Sequence, residues 1–439
     1  MITLKRGTEL NQEAIKKILA KKVDYTENQK YYMGDQKIED RIMTDITKPN
    51  NKLVNANAAY ITDVNVGYFM GQPVSYGSTN KPFMTRVQEI FDLNDEQDEN
   101  VQLAQDASIY GVAYELMYMD EDSKIRFNRI HPGNMIVIYD TKITPVPWAA
   151  IRVYADGDED IYLEIYTDTT ITLYKTDKEV SQFALQGTPA SNPFGVVPVN
   201  VFPNNDTYQG DFDKVKSLID EYDKAQSDTA NDFEYFTDAY LHIHNMNLGE
   251  QDIKELKEKR VLQTEGEAAG SIEWVIKEIQ DIATENFKKR LQEDIHRFSK
   301  TPNLTDESFA GNLSGIALSY KLLGMEWAAS TKERKFKKGL QNRLMLIAAM
   351  LTIKGTTYDY TEIKMEFTRN LPQNAAEIIE MLVSLAGRIS EETFLTQIPF
   401  IDDPAKEQEN MDEEAKANAL RTNPRGGIDL DETPEVVEE

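Results

Sequence analysis

No cysteine occurs among the 439 residues, which excludes a disulfide framework, thiolate metal centres and cysteine nucleophiles together. The same absence fits folding and assembly in a reducing cytoplasm. Histidine is scarce, with four copies. There is no G-x-x-x-x-G-K-[ST] phosphate loop, no G-x-S-x-G elbow, no H-E-x-x-H helix and no kinase signature. A P-loop motor is therefore not expected, and the missing motifs with the shortage of histidine argue against an enzyme; no cofactor is expected. No apolar run reaches the roughly 20 residues of a membrane span. The most apolar stretch, 344–353, reads as a buried helix, and the first ten residues lack the core of a signal peptide, so a soluble protein with no membrane partner is expected. Repeats at solenoid or propeller periods are missing too.

What is present suits a folded chain of more than one domain, with 40% hydrophobic and 9% aromatic residues over 439 positions. Charge is lopsided: 75 acidic against 48 basic side chains, a formal net of −27. Such a surface repels polyanions at long range, which disfavours tight nonspecific DNA binding but tolerates weak contact with DNA sliding past.

Residues 10–33 carry helical spacing, with Asn11 as N-cap and Gly34 as stop, and a second helix is expected from Val54 to Phe69. Residues 81–110 read as helix with a solvated acidic stretch at 95–99. Alternation then predicts a hairpin, 109–119 with 124–130, and further strands at 135–139, 149–154, 161–166, 170–174 and 197–202. Beyond Asn204-Asn-Asp206 long helical patterns take over at 211–238, 283–299 and 314–353, followed by a returning strand at 360–367 and helix over 374–418. From Asp402 to Glu439 there are 13 acidic and 4 basic side chains, and the end is expected to be disordered. The fold class is α+β.

Few constellations carry chemistry. His242 and His244, two apart, would share a face of a strand and suit a metal, but no third ligand stands nearby. A metal-dependent hydrolase on this pair is the enzyme alternative. His131, before Pro132-Gly133, reads as a turn residue, and His296 as facing solvent or a neighbouring subunit. Asp120-Glu-Asp122 and 156–160 match no EF-hand and read as solvated turns. Gly311-Asn-Leu-Ser-Gly315 is a loop capped by Ser314, or a phosphate-facing helix start. Lys332, Arg334, Lys335, Lys337, Lys338 and Arg343 face Glu333 alone, with Phe336 and Leu340 pointing inward. Either this is a solvated helix pairing with acidic neighbours, or it touches DNA phosphates.

Several strings in order resemble the SPP1-like family of phage portal proteins. Asn51-Lys-Leu-Val-Asn-Ala-Asn57 with Gly67-Tyr-Phe-Met-Gly-Gln-Pro-Val74 resembles its N-terminal helix and following strand, and Ser108-Ile-Tyr-Gly-Val-Ala-Tyr-Glu115 with Ile130-His-Pro132 its wing hairpin. Phe194-Gly-Val-Val-Pro-Val199, Lys216-Ser-Leu-Ile-Asp-Glu-Tyr-Asp223 and 227–232 are similar to its stem entry. Leu313-Ser-Gly-Ile-Ala-Leu318 and Glu333-Arg-Lys-Phe-Lys-Lys338 resemble its long helix. The resemblance implies a wing over 1–210, stem helices at 211–238 and 283–299, and a small α/β clip at 239–282. It further implies a tunnel loop at 300–313, a long wing helix and returning strand over 314–373, crown helices at 374–418 and an acidic tail at 419–439. It implies a dodecameric ring at one capsid vertex, passing double-stranded DNA and docking the terminase large subunit and head-completion or adaptor proteins, with scaffold and major capsid protein as neighbours. The implied loop residues are Thr301, Asn303, Thr305, Asp306, Ser308 and Asn312, and the implied DNA-facing cations are Lys332, Arg334, Lys335, Lys337 and Lys338. Another capsid or adaptor ring protein is the second alternative.

Overall fold

A computed structural model describes residues 2–44, 49–157, 160–178, 180, 182–236, 240–244, 261–264, 271–275, 281–306, 315–353, 355 and 357–370, with short pieces between 383 and 415. The chain forms two compact units, Met1–Gly311 with Ser319–Asn370, and Asn312–Leu318 with Leu371–Glu439. The second unit is described only in short pieces, such as the helical 410–415, so most of the expected crown and the whole tail at 419–439 lie outside the described residues. So do Ser308, Asn312 and much of 239–282.

The first unit opens with β1 (Ile2–Thr3), α1 (Gln12–Leu19) and α2 (Thr26–Met33). Asn11 caps α1, its Oδ1 accepting from the Ala14 amide at 3.0 Å, and Gly34 ends α2 at φ 86°. The single helix expected over 10–33 is two, because the Asp24 carboxylate accepts from the Thr26 amide (2.9 Å) and hydroxyl (2.6 Å) and restarts the helix there. An extended stretch leads to α3 (Asn57–Met70), β2 (Ser75–Gly77), α4 (Lys81–Leu93) and α5 (Glu96–Tyr110). Asp95, at φ 51°, separates the last two.

The hairpin forms as expected: β3 (Val112–Met119) pairs antiparallel with β4 (Ile125–Ile130), Tyr114 opposite Ile130 and Met119 opposite Ile125. Then follow β5 (Met135–Tyr139), β6 (Pro147–Asp156), β7 (Asp160–Thr167), β8 (Thr170–Thr176), the short β9 (Ala184–Leu185) and β10 (Ala190–Ser191), and β11 (Val199–Pro203). β1, β5, β6, β7, β8 and β10 lie in that order in one sheet, with β9 beside β8, while β11, β3 and β4 form another. The remaining elements are α6 (Lys216–Phe236), β12 (Tyr240–His244), β13 (Val261–Thr264), β14 (Ser271–Val275), α7 (Asp281–Ser299), the 39-residue α8 (Gly315–Ile353) and β15 (Lys364–Glu366). β12 lies between β13 and β14, and β15 returns to pair with β2.

The sequence places apolar residues every three or four positions on α4, α5 and α8, and these meet in the largest core. Phe83, Phe91, Leu103, Phe336, Leu344 and Ile347 are each at most 3% exposed there. Each such side chain contributes about 1.5–3 kcal/mol by leaving water. A second core seats Ile15 and Ile18 of α1 on Ile138, Trp148 and Leu163 of the large sheet. A third gathers Tyr31, Phe212, Val215, Ile219 and Ile295 where α6 meets α7.

One expectation holds only in part. Of the acidic stretch at 95–99, Asp95 and Asp98 are exposed, but Glu96 and Glu99 are 2% and 7% exposed. The reason is Arg343, itself wholly buried, which α8 inserts beside them. Its Nη1 donates to Glu96 Oε1 and Asn100 Oδ1, both at 2.9 Å, and its Nε and Nη2 donate to the two oxygens of Glu115 at 3.0 and 2.5 Å. The guanidinium also lies 4.5 Å from the Phe127 ring centre.

Candidate functional site

The basic run of α8 divides by direction. Lys332 is 8% exposed and its ammonium bonds the Asp211 carboxylate, while Lys335 pairs with Asp206. Lys337 donates to the Met365 carbonyl at 3.2 Å. Arg369 grips α8 from the other side, bonding Glu326 at 2.9 and 3.1 Å and Glu333 at 2.8 Å. These charges fasten the helix to its own subunit. Lys332 is therefore no DNA-facing cation in the folded chain: its charge is held below the surface by an aspartate 121 positions away.

Arg334 and Lys338 remain exposed, without an acidic partner among the described residues. They continue a single stripe. Tyr320 (74% exposed), Leu323 (40%), Trp327 (62%), Arg334, Lys338 and Gln341 fall within a narrow sector at 3.6 residues per turn. The stripe is apolar at its start and basic further on. Sequence reasoning missed its first half, although the i, i+3, i+7 spacing of Tyr320, Leu323 and Trp327 was visible.

Lys332 and Lys335 both reach the loop joining β11 to α6, and that loop is itself fixed. Asp211 accepts from the Ser108 hydroxyl (2.6 Å) and its amide donates to the Ser108 carbonyl (2.8 Å). Gly111 and Gly210 make the approach possible: a Cβ on either would stand 2.2 and 2.5 Å from a facing carbonyl oxygen. The entry to α6 is thus clamped between α5 and α8.

Further along α6, the stretch 51–55 lies extended and antiparallel to the helix. Amides of Asn51, Leu53 and Asn55 donate to side chains of Asn231 (2.7 Å), Ser227 (2.9 Å) and Asp223 (2.9 Å). Two extended residues advance about 6.6 Å and four helical residues about 6 Å, so every second amide meets every fourth side chain. Asp223 is 1% exposed, and burial pushes its carboxyl up to about 6 despite the Asn55 hydrogen bonds.

Where α7 ends, Thr301 is fully buried rather than lining a channel; its hydroxyl accepts from Asn65 Nδ2 at 2.7 Å. His296, expected to face solvent or a neighbouring subunit, is half-buried, its Nδ1 3.0 Å from the Thr301 carbonyl and its ring edge-on to Tyr60 at 5.6 Å. Asn303 closes the next turn by accepting from the Thr305 amide (3.1 Å) and hydroxyl (2.7 Å). Of the expected loop residues, Thr305 and Asp306 are exposed and Asn303 is partly so. His131 accepts from the Gly133 amide at 3.1 Å, in keeping with a turn residue.

The profile of the family described as "Phage portal protein, SPP1 Gp6-like" matches residues 12–419. The chain belongs to this phage portal protein family. The portal protein of Bacillus phage SPP1 is 28% identical over 417 residues, covering 88% of this chain and 82% of the relative. That of Clostridium phage phiCD119 is 25% identical over 415 residues, covering 88% and 89%. Among solved structures, a chain in the neck of an empty gene transfer agent particle is similar at 11% identity and TM-score 0.44, covering 78% of this chain and 90% of that one. A chain in the virion of the native particle is similar at 10% identity and TM-score 0.46, covering 85% and 93%.

A phage portal protein is a structural component of the phage head, so the hydrolase alternative falls. In this portal chain His242 and His244 belong to β12, opposite Glu273 and Ser271 of β14. Among the described residues no three His, Asp or Glu groups gather as a metal site.

Proposed function

We propose that this portal subunit assembles with copies of itself into a dodecameric ring at one capsid vertex, through which double-stranded DNA is packaged and ejected. The observation that carries the reading is the open stripe of α8. A helix that fastens Lys332, Lys335, Glu326 and Glu333 inside its own subunit leaves three large apolar side chains and two cations uncovered. Tyr320, Leu323 and Trp327 suit a neighbouring subunit in a heterologous contact, which closes into a ring when the rotation permits. Arg334 and Lys338 suit passing phosphates, each a weak and salt-sensitive contact.

In this arrangement residues 1–210 and 314–373 build the wing, α6 and α7 the stem, 239–282 the clip, 300–313 the tunnel loop and 374–418 the crown. Thr301 and His296 anchor the tunnel loop, and Asn303, Thr305 and Asp306 reach the channel. The clip receives the terminase large subunit and later the head-completion or adaptor proteins. Scaffold and major capsid protein surround the wing during assembly in the host cytoplasm, and the ring stays in the virion.

Trp327→Glu places a charge in the apolar half of the stripe. Native mass spectrometry and negative-stain electron microscopy should then find folded subunits in place of rings, and undiminished rings would remove α8 from the interface. Arg334→Glu with Lys338→Glu should leave rings intact and lower the DNA packaged per head. Full packaging by that variant would end the phosphate assignment.

A further inference from the structure

Beside β1, where the connection between α1 and α2 crosses β5, the surface opens into a cleft of about 300 Å³. Tyr25, Tyr114, Tyr139 and Tyr208 line it together with aliphatic residues of β5, and Lys21 and Lys22 complete the wall. In a chain with 75 acidic side chains, no carboxylate lines this cleft. Both lysines are exposed, and neither forms an ion pair among the described residues. The adjacent Asp24 accepts from the Thr26 amide and hydroxyl, and these bonds, with a smaller contribution from Lys22, hold its carboxyl low.

The cleft is also held open by the fold. Tyr208 sits at φ 56°, a conformation that costs a non-glycine residue on the order of 1 kcal/mol or more. It is kept there because Gly111 packs directly beneath its carbonyl and the Asn205 side chain accepts from the Thr207 and Gln209 amides, both at 3.1 Å. Burial raises all four phenols above the ordinary tyrosine value, and Tyr139 and Tyr208 hydrogen-bond each other within the cleft. One wall of the cleft is thus fixed in place beside two lysines that form no ion pair among the described residues.

We propose that this cleft docks an acidic peptide segment of a partner protein, an aromatic or branched apolar anchor entering among the tyrosines and the flanking carboxylates meeting Lys21, Lys22 and the phenolic O–H groups. The volume is at the lower end for a bound group, roughly 300–1,000 Å³, which suits one large side chain with its neighbours. The local positive mouth attracts a short acidic segment. A nucleic acid is disfavoured, because the cleft holds no arginine to grip phosphates in bidentate fashion.

The test uses the full-length protein and fluorescence anisotropy of a fluorescein-labelled peptide, Ser-Glu-Asp-Trp-Asp-Glu-Ser, at low ionic strength. Saturable binding is expected, weakened about tenfold or more by Lys21→Glu with Lys22→Glu, with the difference closing in about 0.5 M salt. Val23→Trp, which fills the mouth without altering charge, should weaken it as well, as should replacing the peptide's tryptophan by alanine. Val23 is 56% exposed, so both protein variants change surface positions and fold normally. Absence of saturable binding, or binding indifferent to the lysine reversal, would overturn the proposal. So would a thymidine oligonucleotide of equal length that displaces the peptide with equal affinity, since the cleft would then read nucleic acid.

Discussion

Replacing Arg343 by methionine isolates the buried charge cluster, because the two residues have nearly equal helix propensity and α8 itself is not weakened. The guanidinium is 0% exposed and makes four hydrogen bonds, two to Glu115 and one each to Glu96 and Asn100. Its removal leaves two buried carboxyl groups without their cation, a change that costs about 3–5 kcal/mol. Set against a total of about 5–15 kcal/mol for a folded domain, that is a large share of the stability. Urea unfolding followed by far-ultraviolet circular dichroism, at matched protein concentration, reads the loss as a lower midpoint. Adding Glu115→Gln should recover part of it in the methionine background, where it removes an uncompensated charge, yet should destabilise the parent, where it breaks the pair. A cost below about 1 kcal/mol, or Glu115→Gln equally harmful in both backgrounds, would refute the account.

Burial, with the Glu115 carboxylate beside it, pushes Glu99 from its ordinary 4.5 up to about 8. The stability this gives is full below the unfolded value and lost as pH rises through 8. Glu99→Gln should flatten the decline, which for one proton is at most about 1.4 kcal/mol per pH unit; parallel stability curves would count against it. Gly339→Ala gains about 1 kcal/mol of helix propensity, but its methyl would stand 2.4 Å from the buried Phe202 ring, so overpacking of about 1–3 kcal/mol should win. A raised melting temperature would contradict that contact. Thr301→Val leaves the buried Asn65 amide short of an acceptor and should cost about 1–3 kcal/mol while speeding proteolysis within 302–306; unaltered cleavage would deny Thr301 its anchoring role. Lys332→Ala should lower the unfolding midpoint, whereas Lys338→Ala should leave it unchanged, and equal effects would dissolve the distinction between inward and outward cations.

Local chemistry was legible in the sequence. Alternation marked β3 to β8, Asn11 and Gly34 marked helix ends, and the unbroken 3.6-residue period of α8 marked a helix that ends at Ile353, as expected. The α+β class followed from these periods, and the ordered strings from Asn51 to Lys338 pointed to the portal family. What periodicity cannot state is which face meets which partner. Glu96 and Glu99 read as solvated because Arg343, the cation inserted beside them, lies 247 positions from Glu96. Lys332 and Lys338 read as equivalent because nothing near them distinguishes a lysine facing Asp211 from one facing water. A charge in water needs no partner, while a buried one is tolerated only with its hydrogen bonds made. Those partners come from elements brought together only when the chain closes over distances of a hundred residues and more, so the fate of each charge was decided by the tertiary structure.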